Sequence, residues 1–254
     1  MSGHSKWANI HRTKEVTDQK RGQVFTKITN AIIIAVRESN GITDPNSNFK
    51  LRLALDKARE VNMPNSNTQR AIDRATGAAG AGAMEEIIYE GFAPGGVAVM
   101  IEAATDNKQR TVQEIRNILD RVGGTLGGSG SVSFMFKKLG YLVVDKGNNA
   151  EETVLKLMDL GVEDVDEGEQ EIEVYVGIDK FEEMKKKIAG IGLTISKSEL
   201  VFKPTTLIPV GDAKVAARIL ALLEKLDSHD DVLKVYANFD IPEEILEQSK
   251  KESL

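Results

Sequence analysis

The chain contains no cysteine and only three histidines, His4, His11 and His229. The first absence removes disulfide scaffolds, thiol nucleophiles, iron–sulfur clusters and every cysteine-bearing zinc site. The second leaves little for a metal: the histidines form no HExxH pattern and no closely spaced pair, so neither a metal nor a cofactor is expected. No apolar run approaches the roughly 18–20 residues of a membrane span, and the richest stretch, residues 31–36, is broken by Arg37 and Glu38. The opening residues 1–7 lack both an apolar signal core and an amphipathic transit face. A soluble cytoplasmic protein with no membrane partner is the expectation.

Catalytic patterns are missing too. The glycine clusters at residues 91–96 and 123–131 are followed by no P-loop lysine, and Gly128-Ser129-Gly130 leads into strand-like residues rather than a helix. Ser131 stands where a nucleophile elbow needs its second glycine. No carboxylate pair, Ser–His–Asp set or activated lysine can be assembled, which argues against an enzyme and against a small-molecule substrate. Turns and helix stops explain the glycines.

What is present is 254 residues, 41% hydrophobic, enough for two or three domains, with a net charge of -6 that is unevenly divided. Residues 1–82 hold 13 Lys+Arg against 7 Asp+Glu, whereas residues 83–254 hold 20 against 32. Within the basic end, Lys6, Arg12, Lys14, Lys20, Arg21 and Lys27 are set against only Glu15 and Asp18, with the lone Trp7 and His11 among them. Cations neutralise phosphates and flat rings stack on exposed bases, so these eight residues are the candidate nucleic-acid site. The competing reading is a solvated helical face on which Trp7 and Ile10 simply pack.

Periodicity predicts helices over 17–39, from Asp44-Pro45 to Pro64, and over 66–76, followed by the small-residue linker 78–83. Beyond it come a hairpin (86–92 and 97–104), a helix capped by Asp106 (107–122) and a strand (132–136). Residues 142–202 read strand, helix, strand, strand, helix, strand, the ferredoxin-like βαββαβ order. A strand (207–210), a helix starting at Asp212 and a strand (232–239) would complete the earlier pieces into a second such unit. The expected architecture is α+β: a three-helix domain (1–82), a discontinuous middle domain (83–137 and 204–254), and an inserted ferredoxin-like domain (138–203). The acidic run 163–169 reads as a solvated turn, and Lys185-Lys186-Lys187 beside Glu182 and Glu183 as a self-compensated face.

The ordered blocks Gly3-His4-Ser5-Lys6-Trp7-Ala8-Asn9-Ile10, Lys20-Arg21-Gly22, Asn62-Met63-Pro64, Tyr89-Glu90-Gly91, Pro94-Gly95-Gly96, Thr105-Asp106-Asn107, Gly130-Ser131-Val132-Ser133 and Asn238-Phe239-Asp240 closely resemble the YebC family, whose mitochondrial relative is a translational activator of cytochrome c oxidase subunit one. The resemblance covers essentially the whole chain. His11-Arg12-Thr13-Lys14 departs from the Lys-His-Arg-Lys of typical members, and Phe134 stands where tryptophan is common. It implies a helical domain followed by two α/β domains, and a regulator of gene expression acting on promoter DNA. The alternative it implies is a ribosome-associated translation factor contacting ribosomal RNA and relieving stalling at proline-rich stretches. A protein-interaction scaffold, in which the basic end is incidental, is the reading from another class.

Overall fold

A computed structural model describes residues 18–77, 84–147, 149–168 and 170–252. The first helix, α1 (Asp18–Glu38), buries Ile28, Ile32, Ile33 and Val36 at helical spacing and ends where Asn40 and Gly41 turn to positive φ. It packs on α2 (Phe49–Glu60) and α3 (Asn65–Thr76), giving the helical N-terminal domain a core of Leu51, Ala54, Ala58, Met63 and Ala71.

The start of α2 corrects the sequence expectation. Asp44-Pro45 forms a turn, with the Asp44 carboxylate accepting from Asn46 N at 3.0 Å and Ser47 Oγ at 3.1 Å. The cap is Asn48, whose Oδ1 accepts from Leu51 N at 3.0 Å while its Nδ2 donates to Ala35 O and Ile42 O, both at 2.9 Å. One buried amide thereby ties the end of α1 to the start of α2. Asn48→Ala leaves those carbonyls unpaired and is expected to cost about 2–3 kcal/mol of unfolding free energy in a denaturant titration.

The remaining chain builds four layers. The first sheet runs β3 (Thr125–Leu126), β1 (Glu85–Phe92), β2 (Ala98–Thr105), β9 (Val232–Ala237), every neighbouring pair antiparallel. One face is covered by α4 (Lys108–Arg121) and α7 (Ala213–Asp227) through Ile115, Leu119, Ile219 and Leu222. The second sheet runs β5 (Asp164–Glu167), β6 (Glu171–Val176), β4 (Phe136–Asp145), β7 (Ile195–Pro204), also antiparallel, and is backed by α5 (Ala150–Asp159) and α6 (Phe181–Gly190). That order is the split βαββαβ arrangement read from residues 142–202. The two free faces meet on Ala98, Met100, Tyr141, Val143, Val201 and Phe202, with Phe202 edge-on to Tyr236 at 5.4 Å between centroids. Covered on both faces, β2 is buried along almost its whole length.

The first sheet differs from expectation in its third slot. The residues read as strand 207–210 pair instead as β8 (Ile208–Pro209) with β10 (Phe239–Asp240) in a separate parallel pair. Pro209 has no N–H to give a central ladder, and β1, folded back on β2 through a turn with Gly95 and Gly96 at φ 78° and 76°, already occupies the place beside it. Residues 132–136 are not a strand either: a short 3-10 turn (Ser133–Met135) precedes β4. The reason is Glu90. Its buried carboxylate accepts from the backbone N–H groups of Gly130 (2.8 Å), Val132 (2.7 Å) and Ser133 (2.8 Å), which are therefore lost to any neighbouring strand. The helix after β2 is capped by Asn107, whose Oδ1 accepts from Arg110 N at 3.0 Å, while Asp106 pairs with the Arg110 guanidinium. Asp212, read as the first residue of its helix, is the cap of α7, accepting from Lys214 N at 2.8 Å and Val215 N at 3.0 Å. The last helix is α8 (Glu243–Glu252).

Candidate nucleic-acid interface

Of the eight candidate residues, Lys6, Trp7, His11, Arg12 and Lys14 lie outside the described residues, as does the side chain of Lys20. Arg21 and Lys27 stand about one and two-thirds turns apart on α1. Lys27 is already engaged: its ammonium donates to both the carboxylate of Asp227, at 2.9 Å, and the Asp227 carbonyl at the end of α7. Beside it Gln23 Nε2 donates to Ser228 O at 3.3 Å. These contacts seat α1 on the first sheet's layer. Lys27→Ala is expected to lower the unfolding free energy by about 1 kcal/mol, as read by thermal melting.

Most described cations of the helical domain are similarly answered. Lys50 pairs with Glu38 (2.6 Å) and Glu86 (2.9 Å), Arg52 with Glu182 (3.1 Å), Lys57 with Glu60 and Arg59 with Asp56 (both 2.7 Å). The Arg52–Glu182 contact, with Phe49 edge-on to Phe181 at 5.6 Å, joins α2 to α6. Arg70 and Arg74 are different. Both are exposed on α3, and among the described residues neither has an ion-pair partner. Spaced four apart, they project from one helix face. No sequence signal could single them out, because whether a cation is compensated depends on carboxylates brought near by the fold.

The acidic run 163–169 is also more structured than a solvated turn. Its residues 164–167 form the edge strand β5, where Asp164 and Asp166 share Lys203 (2.6 and 3.2 Å) and Glu167 takes Lys146 at 2.9 Å. On α6, Lys187 pairs with Glu183 at 2.7 Å and Lys185 lies 3.9 Å from Glu182, the self-compensation expected there.

One cluster was invisible in the sequence because its members are far apart: Glu114, His229 and Asp231 bring three potential metal-ligand atoms within 4.8 Å of one another. Its hydrogen bonds describe something else. His229 Nδ1 accepts from Asp231 N at 3.1 Å, so in the neutral ring Nε2 carries the proton and donates to Glu114 at 2.9 Å. Asp231 meanwhile accepts from Thr111 Oγ1 (2.6 Å) and Arg110 (2.8 Å), and these donors, with the Arg110 charge, hold its carboxyl below its ordinary range against the opposing push of burial. A ring whose free nitrogen is taken by a backbone N–H, next to a guanidinium, is a lock between α4 and the loop before β9. Zinc at stoichiometric concentration is expected to leave the melting temperature unchanged.

Among the described residues no helix is long and apolar enough to cross a membrane. The architecture is that of an α+β protein with a helical N-terminal domain ahead of two helix-backed antiparallel sheets. Residues 5–78 match the TACO1/YebC protein N-terminal domain, and residues 84–239 the TACO1/YebC second and third domain. The chain belongs to the YebC family. It is 46% identical to a probable transcriptional regulatory protein of Syntrophomonas wolfei, over 97% of this chain and 99% of that one. A protein of the same description from Roseiflexus castenholzii is 47% identical, over 98% of each chain. The crystal structure of a conserved hypothetical protein from Aquifex aeolicus superposes with a TM-score of 0.82 at 40% identity, covering 92% of this chain and 96% of that one. The Syntrophomonas and Roseiflexus relatives carry regulatory names, not enzymatic ones.

Proposed function

We propose that the protein is a regulator of gene expression that binds DNA through its helical N-terminal domain. The observation that carries this reading is the pair Arg70 and Arg74, exposed and, among the described residues, without an ion-pair partner in a domain whose other described cations have partners. With them act Lys6, Arg12, Lys14, Lys20 and Arg21, while Trp7 and His11 stack on bases or hydrogen-bond to them. Lys27 joins only if it leaves Asp227. The names of the relatives favour a transcriptional target over the ribosome. The acidic remainder of the chain restrains adhesion to polyanions in general.

The test is binding to duplex DNA across a salt series, beside co-sedimentation with ribosomes at matched phosphate concentration. Replacing Arg70 and Arg74 together by glutamate is expected to weaken DNA binding by about tenfold or more and to reduce the slope of log K against log salt by about 2. Unchanged affinity and slope would remove the assignment. Salt-resistant retention on ribosomes with weak, salt-labile DNA binding would transfer the function to translation.

A further inference from the structure

Where the helical domain meets both sheets it leaves a cleft of about 420 Å³. Its floor is apolar, built from Val24, Ile28 and Ala31 of α1, Leu53 of α2, Leu200 of β7 and Leu233 of β9. A space of this size at a junction of domains, mostly apolar with a few converging polar groups, is the common form of a small-molecule site.

The charges along its walls are nearly all answered from within. Glu199 lies between Lys197 and Lys234, the latter at 2.8 Å, and Lys234 also donates to Leu200 O at 2.8 Å. Lys50 is held by Glu38 and Glu86, and Lys57 by Glu60. Glu102 is the exception. One oxygen accepts from the Tyr236 hydroxyl at 3.0 Å, but among the described residues no cation is bonded to this carboxylate, although Lys234 stands opposite it across the β2–β9 ladder. Burial, aided by the like charge of Glu86 and incompletely offset by Lys234, the tyrosine and Lys138, holds its carboxyl above the ordinary range. A bound cation would relieve that cost.

We propose that the cleft binds a small amphipathic amine, its ammonium on Glu102 and its apolar body along Ile28, Ala31 and Leu53. The ligand's charge is positive because the group without a bonded counter-charge among the described residues is an acid. The cleft's one lysine without a carboxylate partner among the described residues, Lys138, is placed over the Phe202 ring at 5.2 Å. A ligand there touches the helical domain and both sheets at once, and so strengthens the seating of one on the other.

Calorimetric titration of the whole protein at pH 7 with n-octylammonium, octanoate and 1-octanol tests this, since the three share a tail and differ in head group. Octylammonium is expected to bind one to one, about tenfold tighter than octanol, the worth of a charge-assisted hydrogen bond. Glu102→Gln, which keeps shape and the tyrosine contact, should erase that preference while leaving octanol binding in place. Ala31→Leu, which grows into the cleft, should weaken both. Equal binding of amine and alcohol, a preference surviving in Glu102→Gln, or octanoate binding tightest would each overturn the proposal.

Discussion

Gly140→Ala is expected to cost about 3 kcal/mol or more, appearing as a fall of about 10 °C in melting temperature. A β-carbon at residue 140 would lie 1.9 Å from Cδ2 and 2.5 Å from Cε2 of Phe181, a ring that is fully buried. The ring cannot retreat freely, because it is also packed edge-on against Phe49 of α2. The glycine in mid-strand is thus a seat for the first residue of α6, and the same ring carries the contact between helical domain and second sheet. Phe181→Ala alone should also cost about 3–5 kcal/mol. The double variant should cost clearly less than the sum, since the clash exists only when both groups are present. Additive losses in a denaturant titration would show that Gly140 acts through something other than this contact.

The second large effect belongs to Glu90. Burial alone would raise its carboxyl, but the three backbone donors outweigh that and hold it below the ordinary range. Glu90→Gln keeps the shape yet sets an amide N–H₂ against N–H donors, and is expected to cost about 2–3 kcal/mol at neutral pH. A carboxyl whose folded pKa is depressed contributes its stability in full above its unfolded pKa of about 4.3 and loses it as pH falls through the folded value. The stability gap between the native chain and Glu90→Gln should therefore be constant from pH 8 to about pH 5 and narrow below pH 4. A gap that persists undiminished into acid would mean that the charge on Glu90 is not what holds the loop.

These two residues also show what can be read from the chain and what cannot. The α1 stripe of Ile28, Ile32 and Val36, the helix beginning near Asp212 and the βαββαβ order of 142–202 were legible because each is a local pattern. Asp44-Pro45 against Asn48, and Asp106 against Asn107, could not be decided locally. Both members of each pair are good caps, and the choice fell to partners such as Ala35 O and Ile42 O for Asn48. Strand 132–136 failed because its alternation is real while its donors are taken by Glu90, 42 residues earlier for Val132. The candidate interface follows the same logic. A surplus of cations at the basic end is visible as composition, but that Lys27 is committed to Asp227 while Arg70 and Arg74 are not is decided by the fold alone.

The first sheet's dependence on β9 has a consequence for biosynthesis. All four strands of the second sheet lie within residues 136–204, so that sheet can pair as soon as this segment has left the ribosome tunnel. The nascent β2, by contrast, has its β1 neighbour early but must wait for Val232–Ala237, near the end of translation, before its other edge is closed. During that interval a strand apolar on both faces presents an open ladder, the feature most prone to pairing with another chain. A nascent-chain chaperone shielding residues 98–105 would be needed for longest in this protein, and truncations ending before residue 232 should aggregate even though their second sheet is complete.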